Sequence, residues 1–224
     1  LRFTLRIDAV NALAAYGSKE SQEAVLALAN SPIADVRVRA AVIGALEKVP
    51  AAEAVPLCRN LLMPPNGGAG EASYIVRVQA IDVLTAHAAK DAIDTVRAQV
   101  AVPSHNESIS AAALRYLGKF GDASDVERIE SRTALGLPDR VRPAAVSALA
   151  DVAARLTGDD RTKVETFLIG LLDDAEERTA MAAGGSLAEL KCQAAKDRLR
   201  AIAEHHRDPS WRKRAAGWLK KFEA

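Results

Sequence analysis

Two short segments contain residue types that could perform chemistry. Gly184-Gly185-Ser186 could present a nucleophilic serine, but a Gly-x-Ser-x-Gly elbow also requires glycine where this chain has Ala188. Asp159 and Asp160 could ligate a cation, yet a calcium-binding loop needs further carboxylates at fixed spacings and a closing glutamate. We therefore expect the glycine pair inside a helix, where it allows a close contact, and Thr157–Thr162 as an Asp-bearing loop.

A third segment, Met63–Ser73, contains the run Pro64-Pro65-Asn66-Gly67-Gly68-Ala69-Gly70. Glycine-rich loops can cradle phosphate, but the phosphate-binding loop ends in Gly-Lys-Ser/Thr and follows a strand. Neither feature is present in this sequence, so we interpret the segment as a surface loop.

The histidines and cysteines do not form a recognisable ligand set. His87 lies in an apolar position and is expected at a partly buried helix end, whereas His205-His206 is expected at a solvated helix terminus. Cys58 and Cys192 fit neither a zinc motif nor a disulfide framework and are interpreted as small buried residues. The sequence predicts no metal site, no cofactor and no catalytic residue.

The C-terminal end is basic, although the whole chain is nearly balanced, with 30 Lys and Arg against 29 Asp and Glu. The last 34 residues contain ten of these bases and four of the acids. Such an end could bind nucleic acid, an acidic protein or a neighbouring domain, or it could be the polar cap that keeps a repeat array soluble. Trp211 and Trp218, on its apolar side, are expected to be half covered. The basic candidates are Arg198, Arg200, Arg207, Arg212, Lys213, Arg214, Lys220 and Lys221.

The composition favours helices as the elements that position these residues. Hydrophobic residues make up 49% of the 224 residues but aromatic residues only 4%, because alanine dominates the apolar set. Alanine has the highest helix propensity, whereas strands prefer β-branched and aromatic residues. No apolar run approaches the ~18–20 residues of a membrane-spanning helix. We predict an all-α fold without a membrane span.

One apolar pattern recurs along the chain and defines the first helix of seven repeats. A leucine follows a mostly arginine column by seven positions, and other apolar residues lie one before, three after and ten after that column. These offsets trace one stripe along a helix. The arginine column is Arg6, Arg39, Arg77, Ser110, Arg142, Ala180 and Arg212, and the leucine column is Leu13, Leu46, Leu84, Leu117, Leu149, Leu187 and Leu219.

A second helix follows in all repeats but the last, and each hairpin can bury its apolar side only against the next copy. N-cap candidates for the first helices are Asp35, Ser73, Asn106 and Asp208. Because the chain opens in what reads as the middle of a helix, we expect a fragment of a longer protein. The predicted single domain, 1–224, has repeats at about 1–30, 35–62, 74–100, 108–133, 139–172, 176–204 and 211–222.

The stretch Asp35-Val-Arg-Val-Arg-Ala-Ala and its relatives resemble HEAT repeats of the short, bilin-lyase-like class. The resemblance covers essentially the whole chain. It implies a right-handed α-α superhelix with first helices on the convex side and second helices on the concave side. It also implies that loop Asp and helix Arg columns link neighbouring repeats, with the ladder interrupted at Ser110 and Ala180.

The function predicted from this architecture is a non-catalytic scaffold domain that binds a protein partner or an adjacent domain of the same polypeptide. Repeat arrays offer extended surfaces, and the chain contains no motif for catalysis. On this interpretation the second helices meet the partner. The candidate contact residues are Arg59, Arg97, Gln99, Glu127 and Arg128.

Three alternatives remain open. Lys163–Asp174 and the basic final helix resemble the C-terminal helical domain of zinc aminopeptidases similar to aminopeptidase N, in which an upstream domain would carry the zinc. HEAT-like alkylation-repair glycosylases imply a nucleic-acid-binding module, although here the basic residues crowd one end. The repeat class also includes bilin lyases, which would need an acid or nucleophile that the sequence does not reveal.

Overall fold

The computed structural model describes residues 3–64, 70–138 and 140–223. Over these ranges the chain forms thirteen α-helices and short 3-10 turns, with no β-strand. The predicted all-α fold is confirmed. The chain divides into two compact units, Leu1–Tyr116 and Leu117–Ala224.

In the first unit, odd-numbered helices are the first helices of the repeats and even-numbered ones are the second. α1 packs on α2 and α3, α3 on α5, and α4 on α5 and α6. The bounds are α1 Phe3–Tyr16, α2 Lys19–Ala29, α3 Val36–Ala45, α4 Ala51–Leu62, α5 Tyr74–Ala86 and α6 Ile93–Arg97, and the division into units falls inside α7, Ser108–Phe120.

The second unit continues the same alternation. α9 packs on α8, α10 and α11, and α13 packs on both α11 and α12. Within each unit, consecutive hairpins therefore stack as in an α-solenoid. The bounds are α8 Val126–Glu130, α9 Val141–Ala153, α10 Gly158–Gly170, α11 Glu177–Glu189, α12 Lys196–His205 and α13 Pro209–Lys220.

The apolar stripe found in the sequence forms the core of both units. In the second repeat Val38, Val42, Leu46 and Val49 are all buried. The corresponding residues of the fifth repeat are buried as well: Val141, Ala145, Leu149 and Val152. The small residue of each stripe lets a neighbouring helix approach, so that apolar burial stabilises the stack of hairpins.

Two of the four N-cap predictions are correct in detail. The Asp35 carboxylate accepts from the backbone N–H groups of Arg37 and Val38, and the Asp208 carboxylate accepts from that of Ser210. Ser73 occupies the N-cap position without a hydrogen bond from its side chain.

Asn106 does not cap α7, so this prediction was wrong. It lies in a 3-10 turn, His105–Glu107, with φ near 51°, a left-handed conformation that asparagine tolerates better than most residues. Ser104 takes the capping role instead, because its Oγ accepts from the Ile109 N–H at 3.1 Å.

The prediction of a loop over Thr157–Thr162 was also wrong. α10 already begins at Gly158, and Asp159 and Asp160 lie in its first turn. Acidic side chains are favoured there because the positive end of the helix dipole attracts them. The additional residues of this repeat thus extend its second helix. The other predicted loop falls largely on 65–69, which lie outside the described residues.

Candidate functional site

The arginine column provides the most informative polar groups in the interior. Arg142 is 2% exposed. Its Nε donates to the Thr133 carbonyl at 2.8 Å, its Nη1 to Glu176 at 2.6 Å, and its Nη2 to the Asp174 carboxylate. Hydrogen bonds to the two carboxylates outweigh the effect of burial and raise the pKa of Arg142. Each of the three guanidinium nitrogens therefore donates a hydrogen bond, and these bonds join the fifth repeat to the start of the sixth.

Arg39 forms a similar but simpler link between the second and third repeats. Its Nε donates to Glu71 Oε2 at 2.6 Å, while Glu71 Oε1 accepts from the Ser73 N–H at 2.9 Å. Burial alone would raise the pKa of Glu71, but these hydrogen bonds and the Arg39 charge hold it below its usual range. Both oxygens of this carboxylate are therefore occupied.

Arg77 occupies the same column in the third repeat but has no carboxylate hydrogen-bonded to it in the part of the chain that the structure describes. It is 9% exposed, and its one hydrogen bond within the described residues runs from Nη2 to Gln99 Oε1. Its Nε is buried without a partner. Burial lowers the pKa of Arg77, although the nearby Glu71 charge acts in the opposite direction.

The predicted ladder is thus present at Arg39 and Arg142 but incomplete at Arg77. Arg212 also differs from the prediction, since it donates to the main-chain carbonyls of His206 and Arg207 in its own repeat. The ladder depends on the residues of the following loop as well as on the arginine column.

Gln99 was predicted on the interaction surface, and the structure corrects this. It is 3% exposed, and its Nε2 donates to the carbonyls of Leu62 at 3.1 Å and Thr95 at 3.2 Å. The Leu62 carbonyl lies at the C-terminal end of α4 and Thr95 lies in the short α6, and the Gln99 amide binds both carbonyls while its oxygen accepts from Arg77.

A pocket of about 290 Å³ opens beside Arg77 and Gln99. We call it the Arg77 pocket. Apart from these two residues, its lining is mostly apolar and comes from the end of α4 and the end of the third repeat. The remaining lining residues are Leu62, Met63, Pro64, Thr95, Ala98 and Val102.

The other predicted contact residues lie on second helices, and the three arginines among them form ion pairs. In the first unit Arg59 pairs with Asp91 at 2.8 Å and Arg97 with Asp94 at 3.0 Å. The first pair joins α4 to the 3-10 turn Lys90–Ala92 of the next repeat.

On α8, in the second unit, Arg128 pairs with the buried carboxylate of Asp125 at 2.8 Å, and Glu127 is exposed. Arg59, Arg97 and these two residues therefore lie on the second helices α4, α6 and α8.

The basic residues at the C-terminal end fall into two groups. Paired residues are Arg198 with Asp173, Arg200 with Asp197 and Lys221 with Glu189, while Arg212 is held by carbonyls. Four others are exposed and have no ion-pair partner among residues 3–64, 70–138 and 140–223: Arg207, Lys213, Arg214 and Lys220.

Comparison with known proteins agrees with this geometry. A model of HEAT repeats matches residues 68–150. Within this range the repeats are of the HEAT type. No curated protein matches the chain.

Solved structures support the same fold. An engineered protein from the Northeast Structural Genomics Consortium superposes with a TM-score of 0.52 and 17% identity over 90% of this chain and 96% of that one. A designed armadillo repeat protein in complex with the peptide (KR)4 superposes with a TM-score of 0.51 and 19% identity over 88% and 98%. Human deoxyhypusine hydroxylase covers 98% of both chains, but its TM-score of 0.33 is too low for any inference about activity.

In the final repeat, the prediction of a half-covered tryptophan was wrong for Trp211 but agrees with Trp218. Trp211 is 7% exposed, because the His206 ring stacks on it at 5.0 Å and its Nε1 donates to Glu177 at 3.2 Å. Trp218 is partly covered and packs directly over Gly184, where any Cβ would overlap the indole ring. The predicted close contact at this glycine is confirmed.

The histidine and cysteine residues considered above as possible ligands or nucleophiles have structural roles in the repeats. His87 ends α5, is partly buried and hydrogen-bonds the Leu46 carbonyl at 3.0 Å. Cys58 and Cys192 are buried free thiols, and burial raises the pKa of Cys58 to about 12, which disfavours the reactive thiolate.

The described part of the chain contains no group of three or more His, Cys, Asp or Glu side chains placed to hold a metal ion. None of its helices combines the length and apolar character that a bilayer crossing requires.

Proposed function

We propose that this chain is a non-catalytic scaffold that binds a partner protein or an adjacent domain through its second helices. The observation that carries the proposal is the difference in burial between the two helices of the interior hairpins. The first helix buries more of its residues than the second: nine of thirteen residues are buried in α9, and two of thirteen in α10. Second helices present charged side chains to solvent, including Arg59 and Glu127.

The fold supports this proposal because HEAT and armadillo arrays commonly serve as interaction surfaces. The designed armadillo repeat protein of similar fold was solved with a peptide. In each unit the charged residues of the second helices, on α4 and α6 in the first and on α8 in the second, include both signs of charge, which favours a partner with complementary charges over a purely apolar one.

Site-specific photo-crosslinking tests the proposal. p-Benzoylphenylalanine is placed at Glu127 on α8 or, as a matched control, at Ser147 on α9; both positions are exposed and lie in the second unit. With extract from the source cells, we expect a discrete crosslink from position 127 that excess unlabelled chain suppresses, and none from position 147. Equal crosslinking at both positions, or crosslinks that the unlabelled chain does not suppress, would contradict the proposal.

A second candidate function rests on the four exposed bases without ion-pair partners. They favour a nucleic acid or another polyanion at the C-terminal end. Binding of duplex DNA is measured at two salt concentrations for the wild type and for a Lys213→Glu/Arg214→Glu variant, with Lys90→Glu as control. Each lost phosphate contact should reduce the salt slope by about 0.9. Absence of salt-dependent binding would leave these residues as a polar cap.

The resemblance to the helical domain of zinc aminopeptidases remains a prediction. A His-Glu-x-x-His motif in the gene upstream of Leu1 would support it, and a complete upstream sequence lacking the motif would remove it.

A further inference from the structure

Arg77 is a buried cation whose hydrogen-bonding capacity is largely unused. A guanidinium carries five N–H donors, and Arg142 directs its donors to two carboxylates and one carbonyl. Arg77 reaches only the neutral oxygen of Gln99 within the described residues, and its Nε has no partner. Buried charges are normally paired, so this arrangement calls for an anion.

The position of the acids relative to the next repeat explains why Arg77 lacks one. Glu71 lies six residues before Arg77, and Asp174 lies six residues before Ala180 of the same column; each supplies the carboxylate for the preceding arginine. Six residues before the next column position, Ser110, the chain has Ser104. The neutral serine cannot replace the missing carboxylate.

Among the described residues, no acid forms a hydrogen bond with Arg77. Glu71 acts on Arg77 electrostatically, but its two oxygens are bound by Arg39 and by the Ser73 N–H. Gln99 contributes its carbonyl oxygen, while its amide nitrogen is committed to main-chain carbonyls. The guanidinium therefore retains unused donors beside an open pocket.

We propose that the Arg77 pocket binds a carboxylate on an aliphatic stem, as in a glutamate side chain of the partner protein. The apolar walls formed by Leu62, Ala98 and Val102 suit the methylene groups, and Arg77 binds the carboxylate by a charge-assisted hydrogen bond. This inference rests on the proposed function, because it is the partner that supplies the side chain.

NMR titration of the full ¹⁵N-labelled chain tests the inference with N-acetyl-glutamate amide as probe. We expect saturable shifts of the Arg77 Nε–H and Gln99 side-chain amide resonances. The isosteric N-acetyl-glutamine amide and acetate alone should each bind at least about tenfold more weakly, since the first lacks the charge and the second lacks the stem. Equal binding of any of the three probes, or no saturable shift, would overturn the proposal.

Two variants assign the site. Arg77→Met should abolish the shifts, whereas Arg115→Met, which removes an exposed arginine of the same unit, should leave them unchanged. If Arg77→Met fails to fold, the comparison of probes on the wild type still decides the matter. The crosslink from Glu127 in the second unit is an independent readout. If the crosslink is observed but the titration fails, only the inference about the Arg77 pocket is contradicted. If the titration succeeds but the crosslink is absent, the proposed scaffold function is contradicted, and the affinity of the pocket for a carboxylate remains.

Discussion

The two units of the molecule complete their interior contacts differently. In the second unit Arg142 is enclosed by two carboxylates and a carbonyl, and the rigid indole ring of Trp218 closes over Gly184. In the first unit Arg77 has one neutral partner. There, the neighbour of Gly44 is the flexible end of the Gln79 side chain. The same repeat can therefore act as a structural clamp in one copy and leave polar capacity for a ligand in another.

The largest expected effect separates the two arginines. Arg142→Met leaves Asp174 and Glu176 without their cation, so we expect a loss of ~3–5 kcal/mol in the free energy of unfolding. Arg77→Met removes a buried cation that has no carboxylate partner, and the change should stay within about 1 kcal/mol. Urea unfolding is followed by far-UV circular dichroism and by fluorescence, because both tryptophans lie in the second unit. Similar losses of stability in the two variants would contradict the claim that the two arginines differ in their interior contacts.

Substitution of a glycine in each unit tests whether the close contacts at Gly184 and Gly44 differ in rigidity. Gly184→Ala pushes a methyl group into the Trp218 ring, and such overpacking costs roughly 1–3 kcal/mol. Gly44→Ala displaces only the end of the Gln79 side chain, so the gain in helix propensity, up to ~1 kcal/mol, should prevail. Thermal unfolding of both variants gives the sign directly. A stabilised Gly184→Ala protein would mean that the indole moves aside at little cost.

Much of this architecture follows from the sequence, because the apolar stripe of the first helices repeats with few exceptions. Val141, Leu149 and Val152 are buried as their columns predict. The arginine column, by contrast, predicts links between neighbouring repeats but does not show which arginines have an acidic partner. Whether an arginine meets an acid depends on a single loop position, occupied by Glu71 or Asp174 in two repeats and by an uncharged residue in a third.

Side-chain burial was predicted less well at polar and aromatic positions. Gln99 lies on a second helix by sequence, but the structure buries its amide against the carbonyls of Leu62, at the end of α4 in the preceding repeat, and Thr95. Trp211 is covered by His206, which belongs to the preceding loop rather than to the stripe. Both outcomes depend on contacts between segments of different repeats, and helix periodicity contains no information about these contacts.

Lowering the pH should weaken the contribution of the Arg142 cluster to the stability of the fold more than the contribution of Arg77. Burial raises the pKa of Asp174, but hydrogen bonds from Arg142 and from the Glu176 N–H, with the Arg142 charge, outweigh it and hold the pKa below its usual range. A carboxyl with a lowered folded pKa adds stability above its unfolded pKa, near 3.9, and this is lost as the pH falls through the folded value.

The stability difference between wild type and Arg142→Met should therefore be complete at pH 6 and shrink below about pH 4. Arg77→Met removes no hydrogen bond to a carboxylate and only an electrostatic interaction with Glu71, so its stability difference should change less over the same range. Melting temperatures recorded from pH 6 to the acid limit of folding measure both. A constant difference for Arg142→Met would show that Asp174 gains nothing from the arginine.

A gain in stability is expected from converting the first unit to the pattern of the second. Ser104→Asp places an acid at the loop position that Glu71 and Asp174 occupy in the completed links, and its carboxylate can still accept from the Ile109 N–H. Because Arg77 is already buried, a partner should add about 0.5–1.5 kcal/mol to the free energy of unfolding. Ser108→Asp, at an uncharged position near the same turn, is the control. If Ser104→Asp stabilises the protein only in the presence of Arg77, and not in an Arg77→Met background, the vacancy in the first unit is one of charge. Additive effects in the double variant would instead mean that the new carboxylate acts through the helix terminus alone.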